Sequence, residues 1–359
     1  MPSIETDALI IGAGPVGLFQ AFELGLLGIS AHIVDALPSA GGQCIELYPD
    51  KPIYDIPGIV ATSGRQLVAS LLAQLTPFKI PFHLHQQVDT LERQADGRFL
   101  VKTSAEKTFL AKIIVIAAGV GAFQPKKLTV EGLDTYLGTQ LFYHLAIDDS
   151  VTAKFAGKHT LVVGGDDAAV DAAIALAQSQ AETESSKVTL LYRRDVFNVE
   201  AEKLEALQSL SSMGKLQLKV GQITGLHTDS ATANGLLTAV QVTHVEGQVA
   251  SLPLDTLLVY QGISPKLGPI SNWGLAMDRK QLAVDTEKFQ TSEAGIFAVG
   301  DINTYPGKKK LILCGFHEAA LASFAAAALV FPDTPTLLQY TTTSTLLHQR
   351  LGVAQINKP

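Results

Sequence analysis

Cysteine is almost missing from this chain: Cys44 and Cys314 are its only two among 359 residues, and they form no CxxC. That excludes a dithiol redox pair of neighbouring cysteines and a cysteine zinc site, and it provides no disulfide framework. Such sparse usage suits a reducing cytoplasm. Basic charge is also short. Lys and Arg number 27 against 34 Asp and Glu, for a net charge of −7, which is the wrong sign for a general nucleic-acid binder. The segment Met1 to Asp7 has neither the basic residues nor the apolar run of a secretory leader. The longest apolar stretch, Ala319 to Phe331, is about 13 residues, short of the roughly 20 that cross a membrane. The expectation is therefore a protein that engages neither nucleic acid nor membrane. Apolar residues, at 47%, are plentiful enough for a large core, and the length predicts two domains.

Glycine marks where the chemistry lies. Asp7 to Ile11 is an apolar run, followed by Gly12-Ala13-Gly14-Pro15-Val16-Gly17, a helical pattern over Leu18–Leu27, a second apolar run over Ser30–Val34, and Asp35. In such a strand–turn–helix–strand unit, the first glycine permits a tight turn. The second admits a pyrophosphate to bare backbone, and the third allows close helix–strand packing. Pro15, within the same turn, is a further candidate contact to the cofactor, and the helix N-terminus attracts phosphate. Asp35 stands where an acid bonds ribose hydroxyls, and its charge repels a 2′-phosphate. This first turn therefore reads as a site for FAD or NAD, not NADP.

A second unit opens about 150 residues later. His159–Val163 reads as a strand, Gly164-Gly165-Asp166-Asp167-Ala168-Ala169 as a turn, Val170–Gln178 as a helix and Val188–Tyr192 as a strand, with Arg193-Arg194 at its end. The first Gly and last Ala of a dinucleotide turn are kept, but Asp166 replaces the middle glycine. Two unit charges about 4 Å apart cost about 4 kcal/mol at an effective dielectric of 20, a penalty that vanishes if Asp166 turns outward. Arg193 and Arg194 offer bidentate phosphate contacts. Antiparallel meanders are expected near 88–103 and 216–259, a helix over Glu318–Leu329 and a short last helix over Leu346–Leu351.

Several stretches then match one family in order. Lys112–Gly119 resembles the crossing strand of flavoproteins with two dinucleotide domains. Thr291–Asp301 resembles their flavin-proximal motif, and Gly41–Gly58 and Lys308–Ala319 resemble the segments around the flavin. Leu141–Asp148 stands where a thioredoxin reductase carries CxxC. Gln339–Leu347 is similar to a C-terminal extension over the flavin. On these motifs the chain resembles the thioredoxin-reductase-like ferredoxin–NADP reductases of bacteria over essentially its whole length.

That resemblance implies an α/β fold of two Rossmann-like domains, the second inserted into the first. An FAD domain would span 1–118 and 268–359, and an NADP domain 119–267. It implies FAD contacts from Asp35, Gln43, Tyr48, Val88, Phe123, Asp301 and Thr342, with Tyr48 stacked on the isoalloxazine. Tyr340 is the candidate for the other face, and Thr343 or Ser344 for the approach to N5. NADPH would lie on Gly164, Gly165, Asp166, Arg193 and Arg194, although Asn198 replaces a basic residue of the family's pattern. Hydride would pass from nicotinamide to flavin, and electrons onward to ferredoxin or flavodoxin. The acidic carrier would dock at Lys308, Lys309 and Lys310, with Lys126 and Lys127 next. A homodimer follows from the resemblance alone. Asp166 and Asn198 leave two alternatives open: a flavin reductase using NADH or another acceptor, and an FAD-binding protein without nicotinamide turnover. Cys44 and Cys314 read as small apolar residues. His83 and His85 lack a third metal ligand, and His317 either tunes the flavin or caps a helix.

Overall fold

The computed structural model describes residues 3–145, 147–180, 187–194, 197, 199–229 and 235–353, without the side chains of Phe123, Gln124, Ile263 and Pro265. The chain divides into two compact units, 1–122 with 265–359, and 123–264. The second unit is thus slightly shorter at both ends than the span 119–267 expected from the sequence.

The first unit opens with β1 (Ile4–Ile11), α1 (Pro15–Leu27) and β2 (Ala31–Val34). Ala8–Ile11 are buried and pair in parallel with Ala31–Val34; an unbroken apolar run is what a strand covered on both faces requires. α1 stops at Gly28, whose left-handed φ of 79° makes it a C-cap. Next comes α2 (Gly64–Leu75), which begins with a capping box between Ser63 and Gln66. β3 (Phe82–His83), β4 (Val88–Arg93), β5 (Phe99–Thr103) and β6 (Thr108–Ile116) complete a sheet ordered β3-β2-β1-β6-β5-β4. β4 and β5 form the antiparallel pair that the 88–103 pattern predicts, and β6 pairs antiparallel with β5.

The second unit contains β7 (Leu141–Tyr143), β8 (Thr160–Gly164), α3 (Asp167–Gln178), β9 (Val188–Tyr192), α4 (Ala201–Ser212), β10 (Gln217–Val220) and β11 (Thr256–Tyr260). Its parallel sheet is ordered β7-β11-β8-β9-β10. The 216–259 segment is not one meander. Only Gln222–Asp229, Leu236–Thr243 and Val249–Pro253 form the antiparallel sheet, while β10 and β11 at its ends join the parallel one. All five residues of β11 are buried, the mark of a central strand rather than of a half-exposed meander.

The chain then returns to the first unit. β12 (Ile296–Ala298) lies parallel to the C-terminal half of β6, followed by α5 (Ile312–Val330) and α6 (Thr345–Leu351). α5 starts six residues before the expected Glu318. By length and composition it is apolar enough to cross a membrane, yet it packs on α1 through Phe19 and Phe316 and a buried bond from Gln20 to Ser323 at 2.5 Å. α1, α2 and α5 cover one face of the main sheet, while Val88, Ile270 and Leu275 contribute to the core on the other. α6 inserts Leu347 into the first core, and Arg350 donates to the Leu26 carbonyl at the end of α1.

Candidate functional site

The first glycine turn is built so that only glycine fits it twice. Gly12 has φ +115°, and a Cβ there would sit 2.3 Å from the Ala117 carbonyl oxygen. A Cβ on Gly17 would lie 2.0 Å from the Gly12 carbonyl oxygen. Gly14 is different: it is the N-cap of α1, makes no side-chain cap, and has nothing within 4 Å of where its Cβ would be. The first N–H groups of the helix have no side-chain cap and Gly14 leaves room beside them, the environment a pyrophosphate needs. Asp35 follows β2 beside this turn. Its carboxylate accepts from Ala13 N–H at 2.5 Å and Leu37 N–H at 2.8 Å. Burial pushes its carboxyl above the ordinary range, and these two bonds oppose that shift. Each oxygen keeps a lone pair for a ribose hydroxyl.

The loop after Asp35 folds back on the turn. Gly41 N–H donates to the Ala13 carbonyl at 2.8 Å, and Gly42 lies against Gly14. A single helical turn, Gln43–Glu46, then points the Gln43 amide at Asp301, Nε2 to Oδ2 at 3.1 Å. Gly119 borders the same amide. Tyr48 is half-buried and receives a bond from the Cys44 thiol at 3.6 Å; burial is the main cause pushing its phenol up. Gln43, Tyr48, Asp301 and the glycine turn are thus neighbours in the first unit. Cys44 is buried, as expected of a small apolar residue.

In the second unit, Gly164 has φ +155° and abuts the Tyr260 carbonyl, and the Tyr192 ring covers Gly165. Asp166 occupies the position equivalent to Gly14. Both are N-caps, with φ/ψ of −93°/175° at Asp166 and −71°/176° at Gly14. Asp166 is exposed, and its carboxylate accepts from Ala169 N–H at 3.1 Å and so caps its own helix. Arg193 and Arg194 are exposed directly after β9. The two turns therefore end in opposite charge, an acid after β2 and two arginines after β9.

A model of the pyridine nucleotide-disulphide oxidoreductase family matches residues 6–323. The chain belongs to that family. It is 55% identical over 350 residues to a ferredoxin–NADP reductase of Polaromonas sp. JS666, covering 98% of this chain and 93% of the relative. A ferredoxin–NADP reductase of Albidiferax ferrireducens is 53% identical, covering 98% of this chain and 96% of that one. Among solved structures, thioredoxin reductase from T. acidophilum aligns with TM-score 0.57 at 21% identity, over 90% of this chain and 98% of its own. The bacillithiol disulfide reductase from Staphylococcus aureus gives 0.59 at 18%, over 90% and 99%. These two structures place the chain in the two-domain thioredoxin-reductase fold.

Val88 is buried in the core with Leu9 and Ile11, so its side chain is committed to packing. The Phe123 side chain and Asn198 lie outside the described residues. Tyr340, Thr342 and Thr343 are exposed, and Ser344 is the N-cap of α6. α6 docks by Arg350 on Leu26, about 18 Å along α1 from Gly14 at 1.5 Å per residue. His317 is exposed on α5 and lies edge-on to Phe289.

Lys308 corrects an expectation outright. Its side chain is 7% exposed and ion-paired to Glu318, so it is no docking residue. Lys309 and Lys310 are exposed. Sequence reasoning missed Glu318, whose signal was its position as the one acid in an otherwise uncharged apolar helix. It also missed that Asp166 caps a helix, although Asp directly before a helical run is a common N-cap.

Proposed function

We propose that this chain is an FAD-dependent ferredoxin–NADP reductase that exchanges electrons between NADPH and ferredoxin. The observation that carries the reading is the contrast between the two turns: an open one ending in Asp35 and a second ending in Arg193-Arg194. The first pattern suits a dinucleotide with a free ribose, the second one with a 2′-phosphate. The near-full-length likeness to ferredoxin–NADP reductases supports the same assignment, and the missing CxxC argues against a cysteine-pair reductase.

In this reading Gly12, Gly14, Pro15 and Gly17 present backbone to the FAD pyrophosphate, and Asp35 bonds the ribose. Gln43 and Asp301 hold the flavin half, and Tyr48 shields one face. Gly164, Gly165, Arg193 and Arg194 receive NADPH. The chemistry that FAD supplies when bound is exchange between a two-electron hydride donor and a one-electron acceptor. The protein's own work is to orient, to shield from water and to supply charge. Lys309 and Lys310 would steer the acidic ferredoxin or flavodoxin, an attraction that weakens with salt. A homodimer and a cytoplasmic location belong to the same reading, the first from the family resemblance and the second from the sparse cysteines.

Asp166 favours a second reading, a flavoprotein with weak or lost nicotinamide turnover. Anaerobic titration with NADPH and separately NADH, followed by flavin bleaching near ~450 nm, decides between them. Fast bleaching by NADPH and onward reduction of ferredoxin supports the reductase. FAD present without bleaching by either nucleotide selects the second reading.

A further inference from the structure

A buried ion pair beside the Gly300–Asp301 turn has no task in the reading above. Glu318 is fully buried in α5. Its Oε1 accepts from Lys308 Nζ and from the Tyr305 hydroxyl, the latter at 2.9 Å. Its Oε2 accepts from Gly300 N–H at 2.7 Å and Asn303 Nδ2 at 2.8 Å. Lys308 Nζ also donates to the Gly300 carbonyl at 2.9 Å, and Asn303 Nδ2 ties the Ala298 carbonyl at the end of β12 at 2.8 Å. Both backbone groups of Gly300 are thus held by one ion pair. Gly300 takes a left-handed φ of 79° and packs on Val16 in the first turn of α1. The next residue is Asp301, bonded to Gln43.

Stability alone is a weak reason for such a pair. Desolvating two charges offsets most of their attraction, and well-packed apolar replacements often match or exceed it. What this pair provides that an apolar pair does not is direction: every acceptor of Glu318 is used, and the bonds converge on the residue preceding Asp301. We propose that Glu318 and Lys308 are positioning residues that fix the Gly300–Asp301 turn so that Asp301 meets bound FAD. The inference rests on the FAD assignment above.

The test compares two double variants, each free of an unpaired buried charge. Lys308→Met with Glu318→Gln keeps an acceptor for Gly300 N–H; Lys308→Met with Glu318→Leu does not. FAD affinity is measured by quenching of free FAD fluorescence on adding apoprotein, beside thermal melting. The expected result is Gln near wild type and Leu at least tenfold weaker, a loss that persists well below the melting temperature of both variants. Equal FAD affinity in both variants and the wild type overturns the proposal, and so does a loss that merely follows melting. Wild type that binds no FAD sinks the cofactor reading and this proposal with it, an outcome distinct from the other two. If the Leu variant does not fold, Lys308→Met with Glu318→Met replaces it, a longer side chain that likewise offers Gly300 N–H no oxygen acceptor. A changed visible circular dichroism of bound flavin well below its melting temperature supports the proposal, and an identical spectrum overturns it.

Discussion

Replacing Asp166 separates two effects that one side chain combines. Its carboxylate caps α3 through Ala169 N–H at 3.1 Å, and the same carboxylate puts a negative charge where a dinucleotide's pyrophosphate would approach. Removing an Asp cap to Ala costs about 1 kcal/mol, but to Gly only a few tenths. The repulsion is larger: unit charges about 4 Å apart interact by about 4 kcal/mol at an effective dielectric of 20 and about 1 kcal/mol in bulk water. A relief of about 1.4 to 2.8 kcal/mol, inside those limits, is a ten- to hundredfold gain in affinity. Asp166→Asn keeps the cap and removes the charge. Asp166→Gly also removes the side chain and recreates the open turn of Gly14. The expectation is NADP binding about tenfold tighter in the Asn variant and up to about a hundredfold tighter in the Gly variant, with melting nearly unchanged. The assay is a difference-absorbance titration of the oxidised protein with NADP at two ionic strengths; the gain should shrink at high salt because added ions screen the repulsion. Affinities within twofold of wild type for both variants would refute the argument, as would weaker binding by the Gly variant.

Three further outcomes follow from the geometry. Gly17→Ala places a Cβ 2.0 Å from a backbone oxygen, so it should cost about 3 kcal/mol or more and yield protein without FAD, read by melting and by the flavin absorbance of the purified protein. Lys309→Glu with Lys310→Glu should raise the KM for ferredoxin and flatten its salt dependence; an unchanged KM removes the docking assignment. His83, stacked on His32 with Lys107 at 3.2 Å, has its pKa lowered to about 4, with burial the largest cause. Its folded pKa is depressed, so its contribution is full above the unfolded value of about 6.5 and is lost as pH falls through about 4. With the ring partly exposed, the screened contribution is about 1 kcal/mol, and His83→Leu should flatten the melting-temperature profile between pH 6.5 and 4.

The parts legible in the sequence were those written locally. β1, Gly12–Gly17, α1 and Asp35 form one continuous pattern, because the turn, the open helix end and the acid are set by residues within one βαβ unit. What was not legible depends on partners far along the chain or on which side of a strand is covered. Lys308 looks like one of three solvated lysines until Glu318, ten residues on and inside α5, pairs with it. β11 sits in a stretch of alternating runs, and only its place between β7 and β8 makes it central. Asp166 was legible as a charge, but its direction was not, because capping depends on the φ/ψ of the residue as well as its identity. Tyr340 and its neighbours were placed by resemblance. The α6 that follows them is held by Leu347 in the first core and by Arg350 at the end of α1.

The path of the chain sets an order of assembly during synthesis. The inserted unit, 123–264, is one uninterrupted segment and has all its strands as soon as residue 264 clears the ribosome. The unit that surrounds it does not. Its first helix, made within the opening 27 residues, awaits α5 for its main packing partner and Arg350 for its last carbonyl cap. The stretch from 264 to 351 is about 90 residues, which takes about 5–20 s at typical elongation rates. During that interval the glycine turn that defines the first site lacks α5, while the inserted unit already has all its strands. The nascent chain therefore completes its second nucleotide fold before its first.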